Sequence, residues 1–303
     1  MSDRVILKGL KASDFQHSED KKALDALEKI KLLNVTLEAI LKNTSESMMK
    51  FVKAGSCIEL GENQYPSVYK VFLECCKILE IEKIPKLYLD PKREIYSNVD
   101  GITEPIVLIS EGAIEVLNEE ELYFIFGQAL GHIKAGHELY HKVADLLVEG
   151  WGDVIGTIAL PIKKELLSWY RVSILSADRA GLLCCQSKDS AISVLAKLAG
   201  FIRLYEEPCN ITSFITQAIN FKQRQNSFFD TFWRSTHYIL NSVKTPLTVL
   251  RTAELLEWID SGEYGKIRNR GEPVISEKKT CPECGYSEIA SNLYICPMCK
   301  NIL

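Results

Sequence analysis

Apolar residues recur at helical spacing over most of the chain. Leu24, Leu27, Ile30, Leu33 and Leu37 lie three or four residues apart, the spacing that places side chains on one face of a helix. The same periodicity predicts helices within about 18–80, and again at 144–160, 162–186, 189–204 and 211–223. Short apolar runs at 86–89, 94–97 and 105–110 have the length and boundaries of strands. We therefore predict an α+β fold, mainly α, with a small sheet.

The longest helical pattern covers residues of about 118–149. It opens at Asn118 with Glu121 three positions later, the arrangement of a capping box. One side of this helix is apolar and carries Ile125, Ala135, Leu139, Val143 and Leu146. The other side is charged and carries Lys134, Glu138, Asp145 and Glu149. The pattern predicts one continuous helix with a buried face and a solvated face.

Two segments of this helix are related to the zinc motif HExxH, in which two histidines bind the metal and the glutamate activates water. Gln128–His132, QALGH, keeps only the second histidine. His137–His141, HELYH, is a literal match nine residues further on. Nine residues at about 100° each rotate by about 900°, so the two segments would face opposite sides of one helix. The apolar side contains Gln128 and His132, which predicts that His137, Glu138 and His141 lie on the solvated face.

The segment EEELYFIFGQALGHIKAGHELYH, residues 119–141, resembles the catalytic helix of the HtpX-like zinc metallopeptidases, the group that includes the CAAX prenyl proteases. That family carries HELGH followed by Ile and by Gly-His, which aligns with Gln128–His132, Ile133 and Gly136-His137. Its second motif, a Glu four residues before the Asp of Ala-Asp-Arg, aligns with Ile174 and Asp178. The resemblance covers roughly residues 15–265 and implies a zincin-type helical domain with a small sheet, over residues 1–270.

The same alignment implies a degenerate pocket, formed by Gln128, Ala129, His132, Ile174 and Asp178. One imidazole cannot hold a catalytic zinc, which needs three protein ligands and an open position. Ala129 cannot take a proton from water, as the glutamate of the motif does. We therefore predict a catalytically inactive peptidase homologue that binds proteins as a regulatory or scaffold subunit, without catalytic residues and without a second, catalytic zinc. The alternative is an active zinc metalloendopeptidase that uses the literal HELYH at His137–His141.

Four cysteines near the C-terminus form the strongest metal motif of the chain. Cys281, Cys284, Cys296 and Cys299 make two CxxC pairs with eleven residues between them, a pattern typical of a structural zinc with four thiolate ligands. We predict a linker at 271–279 and a zinc ribbon at 280–303. Such a short segment buries too little apolar surface to fold alone, so the metal would supply its folding free energy.

Charge and composition narrow the classes of partner. The net charge of -4 argues against nucleic acid, because such partners require a basic surface. We find no apolar run of membrane-spanning length and no apolar signal core among the first residues. These features predict a cytoplasmic protein with a protein partner, and they leave the oligomeric state open.

Overall fold

The computed structural model describes residues 4–27, 46–148, 159–200, 210–223, 246–273, 278–287, 289–290 and 298–299. Its helices are α1 Ala12–Phe15, α2 Ser18–Leu27, α3 Glu46–Ser56, α4 Pro66–Ile78, α5 Glu111–Val116, α6 Glu119–Ala135, α7 Glu138–Val148, α8 Ala159–Cys185, α9 Lys188–Leu198, α10 at 211–223, α11 Thr248–Asp260 and α12 Glu263–Arg268. Its strands are β1 Val5–Ile6, β2 Ile58–Leu60, β3 Lys86–Asp90, β4 Ser97–Asp100, β5 Ile106–Ser110, β6 Glu272–Pro273, β7 Lys278–Lys279 and β8 Ile289–Ala290. The predicted class, α+β and mainly α, is confirmed.

The larger sheet is mixed and has the order β2-β3-β5-β4. Strand β5 is buried along its whole length, pairs in parallel with β3 and pairs antiparallel with β4. The strand predicted at 94–97 lies at Ser97–Asp100 instead, because pairing with β5 sets its register from Ser97 opposite Ile109 to Asp100 opposite Ile106. Strand β4 therefore forms one edge of this sheet.

Helices α6 and α8 pack closely along the centre of the fold. A Cβ atom added at Gly131 would lie 2.4 Å from the Cβ atom of Ala180, and one added at Gly127 would lie 2.8 Å from the Cα atom of Gly181. Side chains at these glycines would therefore force the two helices apart. This close approach brings the polar residues of α8 next to those of α6.

The predicted continuous helix over 118–149 is wrong. Helix α6 begins at the expected capping box of Asn118 and Glu121 but ends at Ala135. Gly136 follows in the left-handed conformation, with φ of 69°, and its amide bonds the carbonyls of His132 and Ile133. A glycine in this position is a common helix terminator, because it adopts positive φ without a Cβ clash. The chain changes direction there and starts α7 at Glu138.

Strand β6 lies within the predicted linker at 271–279. Glu272–Pro273 pairs antiparallel with Val5–Ile6 near the start of the chain. Gly271 lies so close to Val5 that an added Cβ atom would stand 2.3 Å from a methyl group.

Among the described residues, no helix is long and apolar enough to cross a lipid bilayer.

Candidate functional site

The position that aligns with the peptidase motif holds a closed polar network. Gln128 is buried and donates from Nε2 to Oδ1 of Asp178 at 2.5 Å. Arg251 of α11 donates from Nε to Oδ2 at 2.9 Å and from Nη2 to Oδ1 at 2.6 Å. Both oxygens of Asp178 are thus occupied by a bidentate arginine, a geometry that favours strong pairing. Asp178 is thereby held in a buried salt bridge with Arg251.

The other residues aligned with the motif supply no metal ligand. Ala129 is 1% exposed and belongs to the main hydrophobic core, so it lines no open cleft. Ile174 is half-buried on α8 and presents an apolar side chain where the family motif has a carboxylate. With Gln128 engaged by Asp178, the residues at this position do not fit the zinc ion that the family motif would bind.

His132 is drawn into a different cluster, together with His137 and His141. One ligand nitrogen from each histidine lies within 4.8 Å of the others. The Nδ1 atoms of His132 and His137 are 2.9 Å apart, and the ring of His132 is 4.6 Å from that of His141. The prediction of a solvated HELYH face is therefore wrong, since His137 is 0% exposed.

The glycine break explains why histidines from both segments meet. The amide of His137 bonds the carbonyl of His132 at 3.2 Å, which folds the chain back beside the end of α6. His137 then accepts a hydrogen bond from the amide of His141 at 2.9 Å, which places both histidines in the first turn of α7. The three side chains therefore converge around Gly136 instead of facing opposite sides of one helix.

A buried carboxylate from α2 lies behind His137. Asp20 is 0% exposed and accepts hydrogen bonds from Trp169 Nε1 at 2.8 Å and from Ser176 Oγ at 2.5 Å. Its Oδ2 atom lies 3.2 Å from Nε2 of His137, without a well-aligned hydrogen bond. Burial raises the pKa of Asp20, but contacts with His137, Ser176 and Trp169 outweigh it and leave the pKa below its usual value. Asp20 is therefore ionised at neutral pH.

His141 is fixed by α8. Its Nε2 atom is 2.7 Å from Ser173 Oγ, and its ring stacks on Tyr170 at 4.2 Å. Trp169 packs edge-on against the rings of both His137 and His141. Two aromatic side chains thus hold these imidazoles in position from the α8 side.

The imidazoles of His132 and His141 are neutral. Burial, reinforced by the neighbouring histidines, lowers the pKa of each well below 6.5. A neutral imidazole keeps a lone pair on one nitrogen, and this is the form that binds metals.

Glu138 lies beside this cluster at the wall of a cleft of about 330 Å³, which His141, Tyr170 and Asp100 also line. Its Oε1 atom is buried, and no described residue bonds it. Burial raises the pKa of Glu138 to about 7. A carboxylate with such a pKa has the acidity expected of a general base at neutral pH.

Three of the four predicted ribbon cysteines come together. The Sγ atoms of Cys281, Cys284 and Cys299 lie within 4.8 Å of one another, and those of Cys281 and Cys299 are 3.7 Å apart. Gly285, with φ of 71°, donates to the carbonyl of Cys281 at 3.0 Å and closes the first knuckle. Cys296 lies outside the described residues. Three converging thiols suit a structural zinc site, for which thiolates are preferred ligands.

Comparisons with known proteins agree with the fold. The profile of peptidase family M48 matches residues 63–259. The chain is 30% identical over 271 residues to plastoglobule-localized metallopeptidase 48, chloroplastic, of Arabidopsis thaliana. The aligned region covers 88% of this chain and 78% of that protein. No solved structure gives a significant match. The match includes α6, α8 and α11 and confirms the resemblance drawn from their motifs: this chain belongs to peptidase family M48.

Proposed function

We propose that this protein is a peptidase homologue that acts by binding other proteins. It is catalytically silent where the family binds zinc, at Gln128, Ala129 and Ile174; we call this place the family position. The observation that supports this most directly is the Gln128, Asp178 and Arg251 network. A metal ion there would have to displace a bidentate salt bridge and leave Arg251 buried without its partner, which is strongly unfavourable.

The protein-binding part of the proposal rests on the cleft beside β4. Among the described residues, β4 has no strand on its outer side, so an extended peptide could add to the sheet there. The amides of Val99 and Gly101 donate to the side-chain oxygens of their neighbours Asn98 and Asp100. A partner strand can replace these local bonds with backbone bonds.

The free thiols of Cys75 and Cys76 suit a reducing compartment such as the cytoplasm.

The test is a hydrolysis and binding assay on the full chain, supplied with zinc and a library of fluorogenic peptides. We expect no hydrolysis above buffer, and capture of a subset of extended peptides. Val99→Pro should weaken capture, because proline cannot donate a backbone hydrogen bond. Lys266→Ala, an exposed change on α12 that removes a pairing with Glu263, is the matched control. Zinc-dependent cleavage by the wild-type chain would refute the silent assignment.

A second candidate function is favoured by one observation. His137 and His141 converge with His132, and Glu138 borders the same cleft with a carboxylate oxygen that no described residue bonds. This is the arrangement needed for an active zinc endopeptidase that uses HELYH. Glu138→Gln decides between the two: cleavage that is present in the wild type and falls by about 100-fold or more in the variant supports the enzyme.

A further inference from the structure

We propose that His132, His137 and His141 bind one divalent transition-metal ion, with zinc the best match, in a site distinct from both the family position and the cysteine ribbon. The site would be assembled from the end of α6, the first turn of α7 and outer contacts from α2 and α8. It goes beyond the proposed function, because metal binding here requires no catalysis.

Distances between the imidazoles suit a shared ion. Zinc binds histidine nitrogen at about 2.0–2.1 Å, so a tetrahedral ion holds its ligand nitrogens about 3.3 Å apart. The Nδ1 atoms of His132 and His137 are 2.9 Å apart, and ligand nitrogens from all three rings lie within 4.8 Å of one another. A movement of a few tenths of an ångström brings the nitrogens of His132 and His137 to about this ligand spacing, and the ligand nitrogen of His141 lies within 4.8 Å of both.

The contacts of Ser173 determine which nitrogen of His141 is free. The Ser173 hydroxyl donates its single hydrogen to the carbonyl of Tyr170 at 2.8 Å. The contact of 2.7 Å between His141 Nε2 and Ser173 Oγ must then use a hydrogen on Nε2. A lone pair of His141 is then available on Nδ1. Outer hydrogen bonds of this kind commonly orient metal-binding histidines.

Asp20 has the same effect on His137. A carboxylate facing Nε2 at 3.2 Å favours the hydrogen on that nitrogen and leaves Nδ1 of His137 as the lone pair that faces His132. His132 Nδ1 can donate a hydrogen to this lone pair at 2.9 Å, and a bound metal ion would replace that hydrogen between the two nitrogens. A carboxylate, histidine and metal ion in series is a recurrent arrangement in zinc sites.

The buried carboxyl group of Asp20 also faces the cluster, 3.2 Å from Nε2 of His137. The carboxylate has no exposed surface, and its two well-aligned donors, Trp169 and Ser176, are neutral. Within the described part of the chain, its one ion-pair partner is His137. A buried charge is costly unless it is compensated. A metal ion on His137 would supply that compensation; the competing arrangement holds no metal.

Metal content separates the two arrangements. The ribbon variant is the full-length protein with Cys281→Ser and Cys284→Ser, which removes the ribbon site. In this variant we expect about one zinc per chain after exchange into metal-free buffer. Adding His141→Ala should reduce this to near zero. Adding His17→Gln, which alters an imidazole outside the cluster that faces Glu254, should leave it unchanged.

Cobalt spectra test the ligand type independently of zinc stoichiometry. Co²⁺ bound to the ribbon variant should absorb in the visible region without the thiolate charge-transfer band of the intact chain. Circular dichroism checks that each variant is folded. A folded ribbon variant that holds no zinc, or whose zinc survives His141→Ala, overturns the proposal. Peptide hydrolysis is measured separately, so a metal-bound but inactive protein supports this site and the silent assignment together.

Discussion

The family position and the histidine cluster lie within a few residues of each other on α6, yet their polar atoms are used differently. Around Gln128, both oxygens of Asp178 are taken by donors, and Arg251 neutralises the charge. Around His132, three imidazoles face one another, and Asp20 carries a charge behind them. Both regions are buried, so burial alone does not indicate a metal site. The difference is that Asp178 is paired with a cationic side chain, whereas the three imidazoles chiefly face one another.

The largest effect should follow from disrupting the buried network of Gln128, Asp178 and Arg251. Arg251→Ala leaves Asp178 buried without its partner, and such a loss costs about 3–5 kcal/mol. Urea denaturation should show a reduction of this size in the free energy of unfolding. Arg270→Ala removes an exposed arginine that pairs with Asp14 and should cost less than about 1 kcal/mol. Equal losses in the two variants would contradict the importance of the buried network.

The next effect concerns the charge behind the histidines. Asp20→Asn keeps the shape and removes the carboxylate that orients His137, so the zinc affinity of the ribbon variant should fall by about 10–100-fold. Competition with a chromophoric chelator measures this affinity. Asp189→Asn alters an acidic residue in the first turn of α9, away from the cluster, and serves as the control. An unchanged affinity in Asp20→Asn would separate the carboxylate from the metal.

A smaller effect tests the glycine turn at Gly136, which separates α6 from α7. Gly136→Ala places a side chain at φ of 69°, which should cost about 1–2 kcal/mol through left-handed backbone strain. Gly55→Ala, in α3 and with open space for a Cβ atom, is the matched control and should be neutral or stabilising. Thermal melting of both variants decides the point. A neutral Gly136→Ala would mean that the turn does not depend on glycine.

The smallest effect is on acid stability, at a carboxylate outside both regions. Burial raises the pKa of Glu254, but hydrogen bonds from His17 and Lys222 outweigh it and lower the pKa to about 2, from a usual 4.5. Since the folded pKa is depressed, this stabilisation is complete above about 4.5 and disappears as pH falls towards about 2; after solvent screening it is about 1–2 kcal/mol. Glu254→Gln should flatten this part of the stability curve. A curve that keeps its slope would assign acid sensitivity to other carboxylates.

Local patterns predicted much of the fold. The capping box at Asn118 and Glu121 formed as expected, and the helix predicted at 162–186 covers most of α8. Gln128 and Asp178, which the aligned motifs assigned to one pocket, share a hydrogen bond. These successes depend on interactions within a helix turn or on the position of a residue in a motif.

The histidine cluster could not be predicted in the same way. The one available signal was Gly136 before His137, a common helix end, and treating 118–149 as one helix discarded it. Asp20, Ser173 and Ser176 gave no signal, because their partners lie 32 to 156 residues away along the chain. Neither spacing nor composition indicates such pairings.

Periodicity, capping and glycine positions were enough to define where the helices run, because those preferences arise from backbone geometry and from neighbours within one turn. Tertiary packing alone decided which polar atoms meet. Arg251 reaches Asp178, and Asp20 reaches His137, only after α2, α6, α8 and α11 have packed together. A hydrogen bond depends on the distance between two atoms in space, and for residues far apart in the chain that distance exists only in the folded protein.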